Sequence, residues 1–417
     1  MDTNALRADA DNPPANFLLG DQHAFFGKLR ETGPIHRLTF PDGIDRWVVT
    51  RYDEVASVLS DPRFSNGNMM QAAAVEGLEP EVRETLAMVD SILGQAMPSQ
   101  DPPSHTRLRK LVVGAFSAKR MDALRPRIQE MTNSRLDAMV AAAADDLEGT
   151  VDLVHHLAYP LPVAVICELL GVPEPDRASF HSWSSTLTAF LLDITAAARA
   201  LEAMKAMRSY LLDLIAAKRR RPDDGLLTVL IAAHEDEQRL SDVELVAFGI
   251  MLLVAGHENT THLISSGALN LLRNPSQLAM IREQPELLRS AIDELLRYDG
   301  PLNPGLPRFT LEDVQISGVT IPKHSLVMVG LAPANRDPRR FPDADRLDIT
   351  RQSKQHLAYG HGIHRCLGAR LAQIEGEIAL GTLIRRFPQL HLAVPADSLK
   401  CRFGFIRSLV EMPVRLA

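Results

Sequence analysis

The chain has 417 residues, of which 46% are hydrophobic and 23% charged, with 52 acidic and 45 basic side chains and a formal net charge of −7. That balance argues against a general nucleic-acid binder, which carries a basic excess, and the apolar share suffices for a large core. Three cysteines without paired spacing argue against a disulfide framework and point to a reducing compartment.

Met1 to Asn16 is polar, reads as a flexible arm, and has neither a signal-peptide core nor a membrane anchor. No clear boundary divides residues 17–417, which are expected to form a single, mainly α domain with a small β region. Asp21 to Thr32 reads as a helix stopped by Gly33-Pro34. Ile35 to Phe40 and Trp47 to Thr50 read as strands joined at Pro41-Asp-Gly43, and Tyr52 to Ser60 as a helix. Asp61 to Gln100 reads as irregular, with short helical pieces, in the manner of a lid or binding loop. Helices are expected from Asp101 to about Phe116, then at Lys119 to Ala144, Leu161 to Leu170, Pro175 to Ile194 and Thr195 to Arg219.

Ser241-Asp-Val-Glu244 has the form of a capping box. It opens a helix of about 30 residues, about 45 Å long at 1.5 Å per residue, that ends near Asn274-Pro275. Its apolar residues run almost all the way round, which predicts a buried, central helix. The polar stretch His257 to His262 interrupts the apolar run, so no membrane span is expected. Helices at Gln277 to Glu283 and Glu286 to Asp299 follow, then strands between Arg308 and Val329 with turns at Gly318 and Pro322 to Ser325. A Pro- and Arg-rich coil runs from Ala332 to Arg351, and short strands are expected after Pro388.

The chemistry concentrates in Tyr359-Gly-His-Gly-Ile-His-Arg-Cys-Leu-Gly368, directly before an apolar amphipathic run, Leu367 to Leu383. Gly360 and Gly362 permit positive φ and a close approach of backbone to a flat group. A thiol at the start of a helix is pushed towards thiolate by the helix dipole, and a lone thiolate suits an axial ligand of haem iron. Two other readings stay open for these residues. His361, His364 and Cys366 are all metal-ligand types, although structural zinc commonly needs four ligands and paired cysteines. A structural cysteine behind a glycine turn has the same sequence.

Three further features belong with the loop. Glu294 and Arg297 stand three apart on one helix face, a spacing that is usually a minor surface pair. Ala255-Gly-His-Glu-Asn-Thr-Thr261 places small residues and an acid inside the long apolar helix, where unpaired burial is costly. His105, Arg109, Arg308 and His364 are cations able to bind two carboxylates.

Together these motifs resemble the cytochrome P450 family over nearly the whole chain, closest to soluble bacterial members that tailor polyketides and macrolides. The Cys366 loop matches the haem-binding signature, with Tyr359 in place of its opening Phe. Glu294 and Arg297 match Glu-x-x-Arg. Ala334 to Pro338 and Phe341 to Arg346 match the meander that follows, with Leu347 where Phe is usual. The resemblance implies a P450 fold whose long central helix crosses the distal haem face, and haem b with Cys366 as axial ligand to iron. It implies propionate contacts from His105, Arg109, Arg308 and His364, with Ala255, Gly256 and Gly360 close to the cofactor, and a structural triad of Glu294, Arg297 and Arg346. Glu258 is the expected proton-relay acid. The residue after it is Asn259 where the family has Thr, with Thr260 following, so proton delivery departs from the usual pattern.

The resemblance also implies a monooxygenase acting on a bulky hydrophobic substrate in antibiotic or other secondary metabolism, by hydroxylation or epoxidation. Oxidative coupling, a rearrangement without O2, and a non-catalytic haem binder are the alternatives. Its pocket would draw on Asn66 to Met97, Leu187 to Leu192, Ile250 to Asn259, Leu302, Leu306, Phe403, Phe405 and Ile406. Electrons from NAD(P)H would arrive through a ferredoxin reductase and a ferredoxin, docked on Arg107, Lys110, Arg120, Arg365 and Arg370. The protein is expected to be a cytoplasmic monomer with no nucleic-acid or membrane partner.

Overall fold

A computed structural model describes residues 22–40, 44–67, 79–192, 196–235, 238–303, 305–351, 355–402 and 406–416. The expected arm at 1–16, the turn at 41–43 and Phe403 and Phe405 lie outside them. The described chain forms two compact units, each built from three separate segments.

The first unit takes its residues from 22–67, 262–366 and 394–410. At its centre is a five-stranded sheet in the order Ile35–Thr39, Asp45–Val49, Leu326–Val329, Leu306–Thr310, Phe64–Ser65. Neighbours are antiparallel except Leu326–Val329 on Asp45–Val49, which is parallel. Alternation along the strands sorts their side chains. Val327 and Val329 join Val55, Val58 and Leu59 of helix Tyr52–Ser60 in one core cluster, and Met328 joins Phe26, Leu38 and Phe40 in another. The turn expected at Gly318 is a two-residue hairpin turn in which Ser317 and Gly318 both take positive φ, 49° and 82°.

The second unit takes its residues from 79–261, 367–393 and 411–416 and is largely helical. A three-stranded sheet, in the order His391–Leu392, Pro413–Arg415, Thr150–Asp152, joins the end of the chain to its interior. Pro80–Leu93 is a full helix of 14 residues rather than the irregular stretch expected. It buries Val82, Thr85, Val89 and Ile92 on one face and ties Thr85 Oγ1 to the Ala197 carbonyl at 3.0 Å. The helix expected at 119–144 is two, Ala118–Ala123 and Arg125–Asp145, because Pro126 lacks an amide hydrogen and starts the second. Helix Leu226–Ala232 and the hairpin His234–Glu235/Gln238–Arg239 have no counterpart in the sequence reading.

The long helix is Asp242–Arg273, 32 residues, and its two ends fall in different units. Its capping box forms as expected: the Glu244 amide donates to Ser241 Oγ at 3.3 Å, and the Ser241 amide to Glu244 Oε2 at 2.8 Å. Among the described residues it is the one helix long and apolar enough to cross a membrane, although half of its most apolar window is buried in the protein.

Glu294 and Arg297 are a buried structural node in the first unit, exposed by 3% and 1%, rather than a surface pair. Arg297 donates to both carboxylate oxygens of Glu294 at 2.7 and 2.8 Å, and to the carbonyls of Asn335 and Ala344 at 2.8 Å. The guanidinium also lies over the Phe341 ring, 5.4 Å from its centroid. Arg346 corrects the expected triad, since it enters through its backbone carbonyl, 3.2 Å from Arg297, while its side chain is exposed. The side chain that reaches Glu294 is Arg351, whose Nε lies 3.2 Å from Oε1. The reason is local, because the 343–346 turn presents the backbone of Arg346 to the node.

Glu294→Ala therefore destabilises the protein by about 3–5 kcal/mol by stranding a buried guanidinium. Arg346→Ala stays within about 0.5 kcal/mol, as for a surface substitution, and Arg351→Ala costs about 1.5–3 kcal/mol, as for a hydrogen bond to a charged group. Denaturant midpoints of the haem-loaded variants check this; a larger loss for Arg346 than for Arg351 would restore the original triad.

Candidate functional site

The loop around Cys366 hangs from the Glu294–Arg297 node by successive hydrogen bonds within the first unit. The Asn335 carbonyl accepts from Arg297, and Asn335 Oδ1 accepts the Leu357 amide at 2.6 Å. The Leu357 carbonyl accepts the Gly360 amide at 2.8 Å, and the Cys366 amide closes the loop onto the Tyr359 carbonyl at 2.8 Å. Gly360 and Gly362 both adopt positive φ, 69° and 70°. A Cβ on Gly362 would also lie 2.8 Å from the Leu59 carbonyl oxygen, so the position has no room for a side chain.

Cys366 is exposed at the end of this loop. Helix Ala369–Arg386 begins three residues later. Cys167 is the opposite case, since burial pushes its thiol up to about 11, which makes it inert. Among the described residues, no cluster of three or more His, Cys, Asp or Glu could hold a metal ion, so the zinc alternative gains no support.

The same unit holds Arg308, buried on strand Leu306–Thr310, and His364, half-buried in the short turn Gly362–His364. It also brings together three of the expected pocket residues. Leu302 and Ile406 form an isolated antiparallel bridge, and Leu302 and Leu306, both half-buried, pack on one core cluster.

The second unit holds His105 and Arg109 on helix Ser104–Val113, His105 buried and Arg109 half-buried. Burial, and then the charge of Arg109, hold the His105 pKa below its ordinary value. Two of the expected docking cations are neutralised within this unit: Arg107 pairs with Glu244, and Arg370 with Asp122 at 2.5 Å.

On the long helix Ala255 is exposed and Gly256 half-buried, an accessible patch in the middle of an otherwise packed helix. Gly256 has a packing reason as well, since a Cβ there would lie 2.8 Å from Ile166 Cδ1. Asn259 Nδ2 donates to the Ala255 carbonyl at 3.0 Å, while its buried Oδ1 has no hydrogen-bond partner among the described residues. Thr260 Oγ1 donates to the Gly256 carbonyl at 3.0 Å, so its proton is committed to the helix.

Glu258, 6% exposed, has a partner that sequence reasoning missed. His257 is fully buried, with Nε2 3.2 Å from Glu258 Oε1. Its Nδ1 lies 2.6 Å from the Leu253 carbonyl, which only accepts, so Nδ1 carries the hydrogen there. Nε2 faces Glu258 Oε1 and also lies 3.4 Å from Ser184 Oγ. The adjacent positions of an acid and a histidine in an apolar helix were the available signal.

In the first unit the exposed thiol of Cys366 on a glycine turn is of the kind that a haem iron takes as ligand, and Arg308 is a buried cation of the kind that holds a carboxylate. In the second unit an accessible small-residue patch, Ala255 and Gly256, lies beside the unsatisfied buried Oδ1 of Asn259.

The sequence model of the family described as "Cytochrome P450" matches residues 176–397. The chain is 44% identical to the vitamin D(3) 25-hydroxylase of Pseudonocardia autotrophica, covering 94% of this chain and 93% of that one. It is 41% identical to the mycinamicin IV hydroxylase/epoxidase of Micromonospora griseorubida, covering 93% and 94%. The structure of the tirandamycin C-bound P450 monooxygenase TamI superposes with a TM-score of 0.84 at 38% identity, covering 96% and 98%. A braced cysteine loop, a long helix with an acid at its centre and this breadth of likeness lead to one conclusion: the chain belongs to the cytochrome P450 family of haem-dependent oxidoreductases.

Proposed function

We propose that the chain is a haem-thiolate monooxygenase that inserts one oxygen atom from O2 into a bulky hydrophobic small molecule, by hydroxylation or epoxidation, in secondary metabolism. The Cys366 loop carries this reading: one exposed thiol on a positive-φ turn, suspended from a buried ion pair. Haem b, when bound, supplies an iron centre able to activate O2 once electrons arrive. Residues 17–417 are taken to work as one haem domain.

The chain's own residues take the following roles in this proposal. Cys366 Sγ would hold the haem iron as its thiolate ligand. Arg109 and Arg308 supply charge to the propionates, and His105 and His364 supply hydrogen bonds. Ala255, Gly256 and Gly360 let backbone lie close to the ring system. Leu302, Leu306 and Ile406 line an apolar pocket. Glu258 is the proton-relay acid of this proposal, and its Oε1 lies 3.2 Å from His257 Nε2.

Asn259 contributes an acceptor, Oδ1, that faces no partner among the described residues. Neither Asn259 nor the committed Thr260 hydroxyl has a proton to spare, so a substrate hydroxyl or a water on Oδ1 completes the path.

The substrate class follows from the apolar lining together with the relatives, whose names cover a mycinamicin and vitamin D(3). A macrolide or related polyketide is the kind of substrate this combination favours. Electrons are taken to come from NAD(P)H through a reductase and a ferredoxin, with exposed Arg365, next to Cys366, at the docking surface. Burial of His257, Glu258, Thr260, His262 and Asn270 along the long helix supports a protein core rather than a lipid environment for it. The protein is taken to be a cytoplasmic monomer.

Two experiments test the reading. With isotopically labelled O2, one labelled oxygen atom enters the product per turnover; an NAD(P)H-dependent product without label would assign coupling or rearrangement instead. Asn259→Thr, which restores a hydroxyl, shifts the ratio of product formed to NAD(P)H consumed several-fold, with the difference appearing as peroxide. An unchanged ratio and rate would remove Asn259 from proton delivery.

A further inference from the structure

Asp299, just past helix Leu288–Tyr298, is the centre of a second buried polar cluster, contained within the first unit and absent from the roles above. Its Oδ1 accepts from Arg407 NH1 at 2.8 Å and from His23 Nε2 at 3.3 Å, and its Oδ2 accepts from Asn270 Nδ2 at 3.1 Å. Its backbone carbonyl accepts from His262 Nε2 at 2.8 Å. His262 and Asn270 lie on the long helix, His262 one turn beyond Glu258. A single residue thus joins the N-terminal helix, the central helix and the C-terminal segment.

The charges at this node nearly cancel. Burial alone would raise the Asp299 carboxyl, but the Arg407 charge and the His23 hydrogen bond hold it well below the ordinary range. Burial lowers both His23 and His262, with Arg336 and Arg407 pushing His23 further the same way against Asp299. The cluster is therefore one carboxylate and one guanidinium with two neutral imidazoles. Removing either charge strands the other in a poorly solvated place.

Arg407 is also next to a pocket wall. Its amide donates to the Pro301 carbonyl at 2.9 Å, and its neighbour Ile406 bridges Leu302. The segments 301–302 and 406–407 are therefore held together twice, by backbone pairing and by the guanidinium on Asp299. Backbone pairing sets their separation. The ion pair adds a tie to the central helix, because the Arg407 side chain reaches a carboxylate that Asn270 on that helix also holds.

We propose that Asp299 and Arg407 form a positioning clamp that fixes the Leu302 and Ile406 walls in place relative to the long helix, and so decides which bulky substrates the pocket accepts. This rests on the haem-monooxygenase reading and on the assignment of those walls. Neither residue touches the reacting atoms. The clamp acts through Leu302 and Ile406, and its signature is size-dependent.

The test uses the haem-loaded protein and two azoles that ligate iron through nitrogen: imidazole, a single small ring, and clotrimazole, a bulky hydrophobic molecule. Spectral titration gives both affinities for the unmodified protein, Arg407→Gln and Arg407→Lys. The clamp predicts that Arg407→Gln weakens clotrimazole about tenfold, about 1.4 kcal/mol, and changes imidazole by less than about twofold. Arg407→Lys, which keeps the charge, returns clotrimazole to within about threefold of the unmodified protein. Equal weakening of both azoles, no change in either, or failure of Arg407→Gln to take up haem overturns the proposal, the last by making the pair a stability element. Failure of the underlying haem reading would show differently, as an unmodified protein whose spectrum imidazole does not shift.

Discussion

The described structure depends most on the salt bridge between Glu294 and Arg297, a charged pair almost wholly withdrawn from water. Desolvating two ions is expensive and is offset only when every donor and acceptor is satisfied. Here the Arg297 guanidinium meets both Glu294 oxygens and the carbonyls of Asn335, Ala344 and Arg346, while Glu294 also accepts from the Asp348 amide and Arg351. Those bonds gather a coil with little regular structure of its own around one point. Asn335 then carries the constraint to Leu357, Leu357 to Gly360, and the Cys366 loop is held at the end. A thiol that must keep one position without lying in a helix or strand needs such a support.

Electrostatic economy recurs in other parts of the molecule. Asp299 and Arg407 cancel inside the first unit, and in the second the buried His257 and Glu258 side chains meet at 3.2 Å. Glu375 is the contrasting case: burial alone raises its carboxyl well above the ordinary range, and its Oε2 has no partner among the described residues, so it stays neutral by protonation. Each buried charge in the long-helix region has a specific mate, as the cost of solitary burial requires. Polar groups are concentrated on this helix between 257 and 270, the stretch nearest the proposed chemistry.

How much of this could be read from the amino-acid sequence depended on the range of the interaction involved. The capping box at Ser241 and Glu244 was legible because its partners are three residues apart, and helix Tyr52–Ser60 because its period is uninterrupted. The Cys366 loop was legible because glycine and cysteine have few other reasons to occur at that spacing. Helix Pro80–Leu93 was obscured by the Met, Gly and Pro around it, although its buried face recurs with helical period. The third member of the brace could not be read: Arg346 and Arg351 lie in one coil, and only the folded path shows which turns its side chain inward. Asp299 and Arg407 stand 108 residues apart and left no local signal at all.

Position on the central helix matters more than residue type in this account. Asn259 is an ordinary amide, yet one of its atoms is bonded back to the helix and the other is buried without a partner, at the position where the family has a hydroxyl. His262, one turn past Glu258, ties the same helix to Asp299. The proposed proton supply and the proposed substrate selection thus fall on adjacent turns of one element. The central claim, that the suspended loop offers Cys366 as a thiolate to haem iron, is tested most directly by the spectrum of the reduced, carbon monoxide-bound protein. The account predicts the thiolate-type Soret band for the unmodified chain and its loss in Cys366→Ser with helix content unchanged. The same band persisting in Cys366→Ser would contradict it.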